Sequence, residues 1–203
     1  MNLVTVIPTA FVMIAGPQIL SAIFLATSED WRRNSAAYVF GAFLSIALFV
    51  TVAYFIGNGA RDDGGSDAIY WIVLVLLLAA MLRTYLKRGE SEPPKWMGRL
   101  LTARPRFAFA LGFLLLGVFP TDILTSVAVG SYLGNEDEPL WYALIFIGFT
   151  LFLLALPALL LLVFRERGEA FLPKAREWMI THSWIVNEIV LLLFVAIVIS
   201  SLV

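Results

Sequence analysis

FAFALGFLLLGVFPTDILTSVAVGSYL, residues 107–133, is long and apolar enough to cross a bilayer, yet it carries Pro120, Thr121 and Asp122 near its middle. A proline inside a helix removes one backbone donor and clashes with the preceding turn. An aspartate at the bilayer centre costs about 2.5–3.5 kcal/mol on insertion scales. What such a segment gains from both residues is the question the rest of the sequence bears on.

The chain has 203 residues, of which 61% are hydrophobic and 14% charged, against about 25% charged in soluble domains. A spanning helix needs about 20 mainly apolar residues, and six stretches qualify: roughly 3–26, 35–57, 68–86, 107–133, 140–164 and 184–203. The expectation is a single-domain, all-α integral membrane protein with six transmembrane helices. No basic residue precedes the first run at Leu3, so it reads as a retained helix rather than a cleaved signal. With no cysteine in the chain, disulfides, thiolate metal sites and CxxC redox chemistry drop out. Trp31, Trp71, Trp96, Trp141, Trp178 and Trp184, with Tyr38, Tyr54, Tyr70, Tyr85, Tyr132 and Tyr142, fall near the expected ends, where amphipathic rings favour the headgroup level.

Charge sorts the connections into two sides. One carries Arg32, Arg33, Arg83, the basic run between Lys87 and Arg106, and Arg165, Arg167, Lys174 and Arg176. The other carries Arg61 among aspartates and the acidic loop GNEDEP, 134–139. By the positive-inside rule the chain lies in the cytoplasmic (inner) membrane with both termini outside and the connection at about 87–106 in the cytoplasm. Within that connection PPKWMGRLL, 93–101, would gather Trp96, Met97, Leu100 and Leu101 on one face. It reads either as an amphipathic segment on the inner leaflet or as a basic loop that only fixes topology.

Three pairs of segments resemble one another in the same order. Residues 6–26 align with 106–130, Pro17 on Pro120; residues 36–50 align with 144–158, Gly41 on Gly148; residues 69–80 align with 182–193, Trp71 on Trp184. Repeat 1 would cover about 1–86 and repeat 2 about 107–203. An odd number of spans per unit inserts the second unit upside down, the plan of many secondary transporters, whose sites lie at the midplane between interrupted helices. The candidate substrate or ion site is therefore Gly16, Pro17 and Gln18 facing Pro120, Thr121 and Asp122. Gln18, next to Pro17, is the expected polar companion of Asp122.

No Lys, Arg or His stands mid-span to neutralise Asp122. It must be protonated, hydrogen-bonded within the bundle or open to a water-filled cavity, which makes it a candidate proton carrier. The structural alternatives are prolines that only kink their helices and an acid bonded to a neighbouring carbonyl. Asn187 and Glu188, about a turn inside the sixth span, join the candidate set. His182 reads as an interfacial residue, and the row Ala37, Gly41, Ser45 as helix packing. No Ser-His-Asp set, metal-spaced cluster or phosphate-binding loop can be assembled, so neither enzyme activity nor a cofactor is expected.

IPTAFVMIAGPQILSAIFLATSEDWRRNSAAYVFGAFLSIALFV, 7–50, and PPKWMGRLLTARPRFAFALGFLLLGVFPTDILTSVAVGSYL, 93–133, resemble the GAP family. These are the glycolipid- or peptidoglycolipid-addressing, Sap-like proteins of the lysine-exporter (LysE) superfamily. Gly16-Pro17, Gly41, the Pro-x-Trp segment and the proline of the fourth helix carry the resemblance. The family's fourth helix usually reads close to Asn-Pro-Lys-Asn-Leu, whereas Phe119-Pro120-Thr121-Asp122-Ile123 lacks the lysine and ends its polar run on an acid. The resemblance implies export or transbilayer delivery of an envelope lipid or glycolipid. The wider superfamily implies a small-solute, amino-acid-type exporter, and a membrane scaffold for lipid synthesis or export machinery is the non-transporting alternative. A lipid path predicts a cavity open sideways to the bilayer; a solute path predicts a closed, polar one. Expected partners are membrane lipids and the carried lipid, glycolipid or solute, with a homo-oligomer as a further arrangement and no nucleic acid.

Overall fold

The computed structural model describes residues 9–11, 13–14, 16–57, 95–182 and 192, and among them every regular element is helical. After helical residues at 9–11 and 13–14 come α1 (Pro17–Ala26), α2 (Trp31–Gly57), a 3-10 segment (Lys95–Thr102), α3 (Pro105–Val118) and α4 (Pro120–Asn135). A short 3-10 turn (Leu140–Tyr142), α5 (Ala143–Val163) and α6 (Arg165–Thr181) follow. The spans expected at 68–86 and 184–203 lie outside the described residues, apart from Leu192.

Trp31–Ile56 and Leu140–Val163, of 26 and 24 residues, are each long and apolar enough to cross a membrane. α3 and α4 pass the same test only together, bent by 68°, which makes the pair either one broken span or a re-entrant loop. α1, with 10 residues, is too short to cross alone.

The breaks replace the kinks that prolines inside continuous helices would have made. Pro17 and Pro120 each open a new helix, where the missing N–H would be unpaired anyway and the ring's φ is already helical. Before Pro17, Gly16 adopts φ 101° and ψ −137°, a conformation open essentially to glycine alone. Before Pro120, Phe119 is extended at φ −67° and ψ 125°, as the ring of a following proline demands. The Phe119 carbonyl accepts from the amides of Asp122 and Ile123, both at 3.1 Å, which starts α4 cleanly.

α2 is the spine of the described bundle. A Cβ on Gly41 would run into the carbonyl oxygen of Phe109, and one on Gly112 into that of Tyr38, so α2 and α3 cross with their backbones touching. Further along, Gly130 of α4 meets the carbonyl of Val50 in the same way. Glycine contacts thus fasten α2 both to α3 and to α4. Among the described residues nothing lies within 4 Å of a Cβ placed on Gly148, the repeat counterpart of Gly41. Tyr38, Ile46, Leu116, Leu133, Phe146 and Leu154 fill the centre, while Leu48, Leu124, Leu144 and Phe152 stay exposed where lipid would surround them.

At the basic end, polar groups close the turn between α1 and α2. The Asn34 amide donates to Ser28 Oγ at 2.8 Å and to the Ala103 carbonyl at 2.9 Å, and the Glu29 N–H donates to the Leu101 carbonyl at 3.4 Å. The 3-10 segment is thereby docked under the bundle, with Leu100 buried and Arg99 exposed. α6 occupies residues read from sequence as a plain basic connection. Its Leu172 packs with Ile23, Ala26 and Leu161, while Phe171 and Trp178 face outward, the division of an interfacial amphipathic helix.

Candidate functional site

Because Pro17 and Pro120 each begin a helix, the side chains just after them belong to first turns rather than to helix interiors. Gln18 is the second residue of α1 and Asp122 the third of α4. The two first turns face each other, and Gln18 Nε2 donates to Asp122 Oδ2 at 2.6 Å, with both side chains buried. The pair links residues that are 104 positions apart.

Three features support the acid in this setting. The N-terminal turn of α4 places partial positive charge beside Asp122. The Gln18 amide supplies a hydrogen bond of charge-assisted length. Tyr38 of α2, fully buried, lies within electrostatic reach of Asp122 and donates its hydroxyl to the Gln18 carbonyl at 2.8 Å. Ser21 Oγ donates to the Pro17 carbonyl at 2.6 Å, which further pins the first turn of α1. The carboxyl group is thus positioned by two helix starts and a third helix.

Acceptor capacity is left over around the pair. Gln18 Oε1 is buried without a hydrogen-bond partner, as is Ser126 Oγ, one turn along α4 from Asp122. A buried polar atom left unsatisfied costs about 1–3 kcal/mol, so these atoms mark where a proton donor, water or polar headgroup would be stabilised. Gly16 borders the same amide oxygen: a Cβ there would sit 3.5 Å from Gln18 Oε1.

The structure therefore brings Gly16, Pro17, Gln18 and Asp122 together, with the backbone of Pro120 and Thr121 in the first turn of α4. Asn187 and Glu188 lie outside the described residues. His182 is apart from the pair at the end of α6, stacked on Trp178 at 5.1 Å with Nδ1 3.0 Å from the Trp178 carbonyl. Tyr38 departs from its expected place in an interfacial belt. α2 begins at Trp31 rather than at 35, which carries Tyr38 about two turns inside the helix. The signals that could have found it are its place three residues before Gly41, on the face that meets α3, and the need of a buried phenol for an acceptor.

The chain matches no curated protein and no solved structure. The helices long and apolar enough to span a bilayer make it a membrane protein, and a helix starts at Pro17 as one does at Pro120. The model of one family, described as Sap, sulfolipid-1-addressing protein, matches residues 6–201, and the chain belongs to that family.

Proposed function

We propose that this protein is an inner-membrane transporter that exports or translocates an envelope lipid, glycolipid or similar amphiphile. It would have six spans in two inverted three-helix repeats, with both termini outside. The observation that carries the reading is the buried Gln18–Asp122 bond between two proline-initiated helix starts. Interrupted helices meeting at mid-membrane are the arrangement in which transporters hold a polar group or a coupling ion, and an intramembrane acid is functional by default. The family's description points to a lipid as the cargo, and a place in the lysine-exporter superfamily agrees with the broken-helix repeat.

In the mechanism, Asp122 exchanges a proton or steadies the polar headgroup, and Gln18 reports its state to α1. When the carboxyl group changes partner, the 2.6 Å bond to Gln18 is lost or remade, and the two helix starts separate or close. The glycine contacts tie α2 to α3 and α4, so the rocking body includes α2 rather than following the sequence halves. The protein carries out no covalent chemistry and needs no cofactor.

The test is untargeted lipid mass spectrometry on a deletion strain complemented with the wild-type chain or with Asp122→Asn. A lipid missing from the surface, retained inside and restored only by the wild type is the expected result. A polar metabolite missing from the medium would favour the small-solute exporter, and no change in either would favour the scaffold.

A further inference from the structure

One side of α2 is glycine-fastened to α3 and α4, and the other side, toward α5, is open. Three hollows run in series along that seam. At the basic end a chamber of about 550 Å³ lies between the α1–α2 turn and the start of α6, with Arg32, Arg165 and Glu169 on its wall. It shares Trp31, Arg32 and Leu162 with a groove of about 550 Å³ whose walls are Val39 and Phe43 of α2 and Leu151 and Ala155 of α5. Phe43 in turn borders a third hollow of about 320 Å³ that ends at Thr51 and Trp141. From Arg32 to Thr51 the helix rises about 28 Å at 1.5 Å per residue, close to the ~30 Å hydrocarbon thickness.

We propose that this α2–α5 seam binds a membrane lipid with an anionic headgroup, the head in the Arg32–Arg165 chamber and one chain laid along the groove. The inference rests on the amphiphile-transport reading above and gives it a loading site. Five observations support it. The groove opens sideways: Phe40 and Leu162, on its walls, are more than half exposed. Its walls are apolar side chains apart from the end at Trp31, Arg32 and Ser35. At that end the described wall residues include two guanidinium groups and one carboxylate, Glu169, which stands 3.9 Å from Arg165, an excess positive charge for an anion. Ser35, on the groove wall just below, is more than nine-tenths buried with its hydroxyl unpartnered, a donor where head meets chain. Arg32 rests over the Trp31 ring, 5.2 Å from its centroid, which holds the cation at the mouth.

The experiment uses the purified full chain in nanodiscs of zwitterionic lipid. The probe is a long-chain alkyl sulfate with a photoreactive diazirine in mid-chain. Peptides containing Val39, Phe43, Leu151 and Ala155 should take the label, and the zwitterionic counterpart of the probe should label them at least about tenfold less. Inorganic sulfate should not compete, which separates a lipid site from a free-anion site. Ala155→Trp and Ala36→Trp, which fill the groove from opposite walls, should each cut labelling at least about tenfold while the proteins elute as the wild type does. Arg32→Gln should abolish the preference for the anionic probe. Labelling spread evenly onto the exposed Leu114 and Leu124 of α3 and α4, or indifferent to both tryptophans, would overturn the proposal. Seam labelling in a protein whose deletion strain exports lipids normally would keep the site and defeat the transport reading. Lost export with diffuse labelling would do the reverse.

Discussion

Asp122 shows how a chain buries an acid without a basic residue beside it in sequence. The amide of Gln18 and the N-terminal turn of α4 share the task, and each depends on the proline that starts its helix. Gln18→Leu removes a buried donor to a carboxyl group and should destabilise the protein by about 1–3 kcal/mol. In a double-mutant cycle with Asp122→Leu the two losses should fall short of additivity by about 0.5–3 kcal/mol. Denaturant-titrated unfolding in mixed micelles measures both, and strictly additive losses would mean the side chains are not coupled. Tyr38→Phe removes only the hydroxyl that reaches the Gln18 carbonyl. It should lower stability by about 0.5–1.5 kcal/mol, a loss that should vanish in a chain already carrying any change that unseats α1.

Among the helices, glycines decide which surfaces touch and which stay apart. Gly41→Ala and Gly112→Ala each push a methyl group into a backbone carbonyl of the facing helix, and overpacking of this kind costs about 1–3 kcal/mol or more. Gly148→Ala meets open space among the described residues and should be neutral or stabilising by up to about 1 kcal/mol, the helix propensity gained. Thermal unfolding in detergent ranks the three, and an equal loss at Gly148 would contradict the packing. The same contrast explains what sequence could and could not reveal. Pro17 and Pro120 were legible because proline's constraint is local, and Gln18 because it stands next to Pro17 as a polar residue in an apolar run. Tyr38 was not, since a phenol suits a headgroup layer as well as a buried acceptor. Asn34 was not, because its amide partner Ala103 stands 69 positions away. α6 escaped because a basic run serves topology whether or not it is helical.

For the whole molecule, the charge asymmetry makes orientation directly measurable. Because the chain contains no cysteine, a single Glu136→Cys in the acidic loop should react with a membrane-impermeant maleimide in intact cells. Arg167→Cys, at the basic end, should react only after permeabilisation. The opposite pattern would invert the topology and move the lipid-loading chamber to the outer leaflet. One large core cluster runs through α1 to α5, and a smaller one joins α1, α5 and α6. The bond between Gln18 and Asp122 ties α1 directly to α4. Its separation of 104 positions has a consequence for biosynthesis. On a ribosome feeding the membrane from the amino end, the amide emerges 104 residues before the acid. The early helices would then serve as a receiver for the late one, with α4, weakly apolar by itself, drawn in by a waiting partner. A nascent chain without its first helix should therefore stall with residues 107–133 at the surface, an internal chaperone having been deleted along with a structural element.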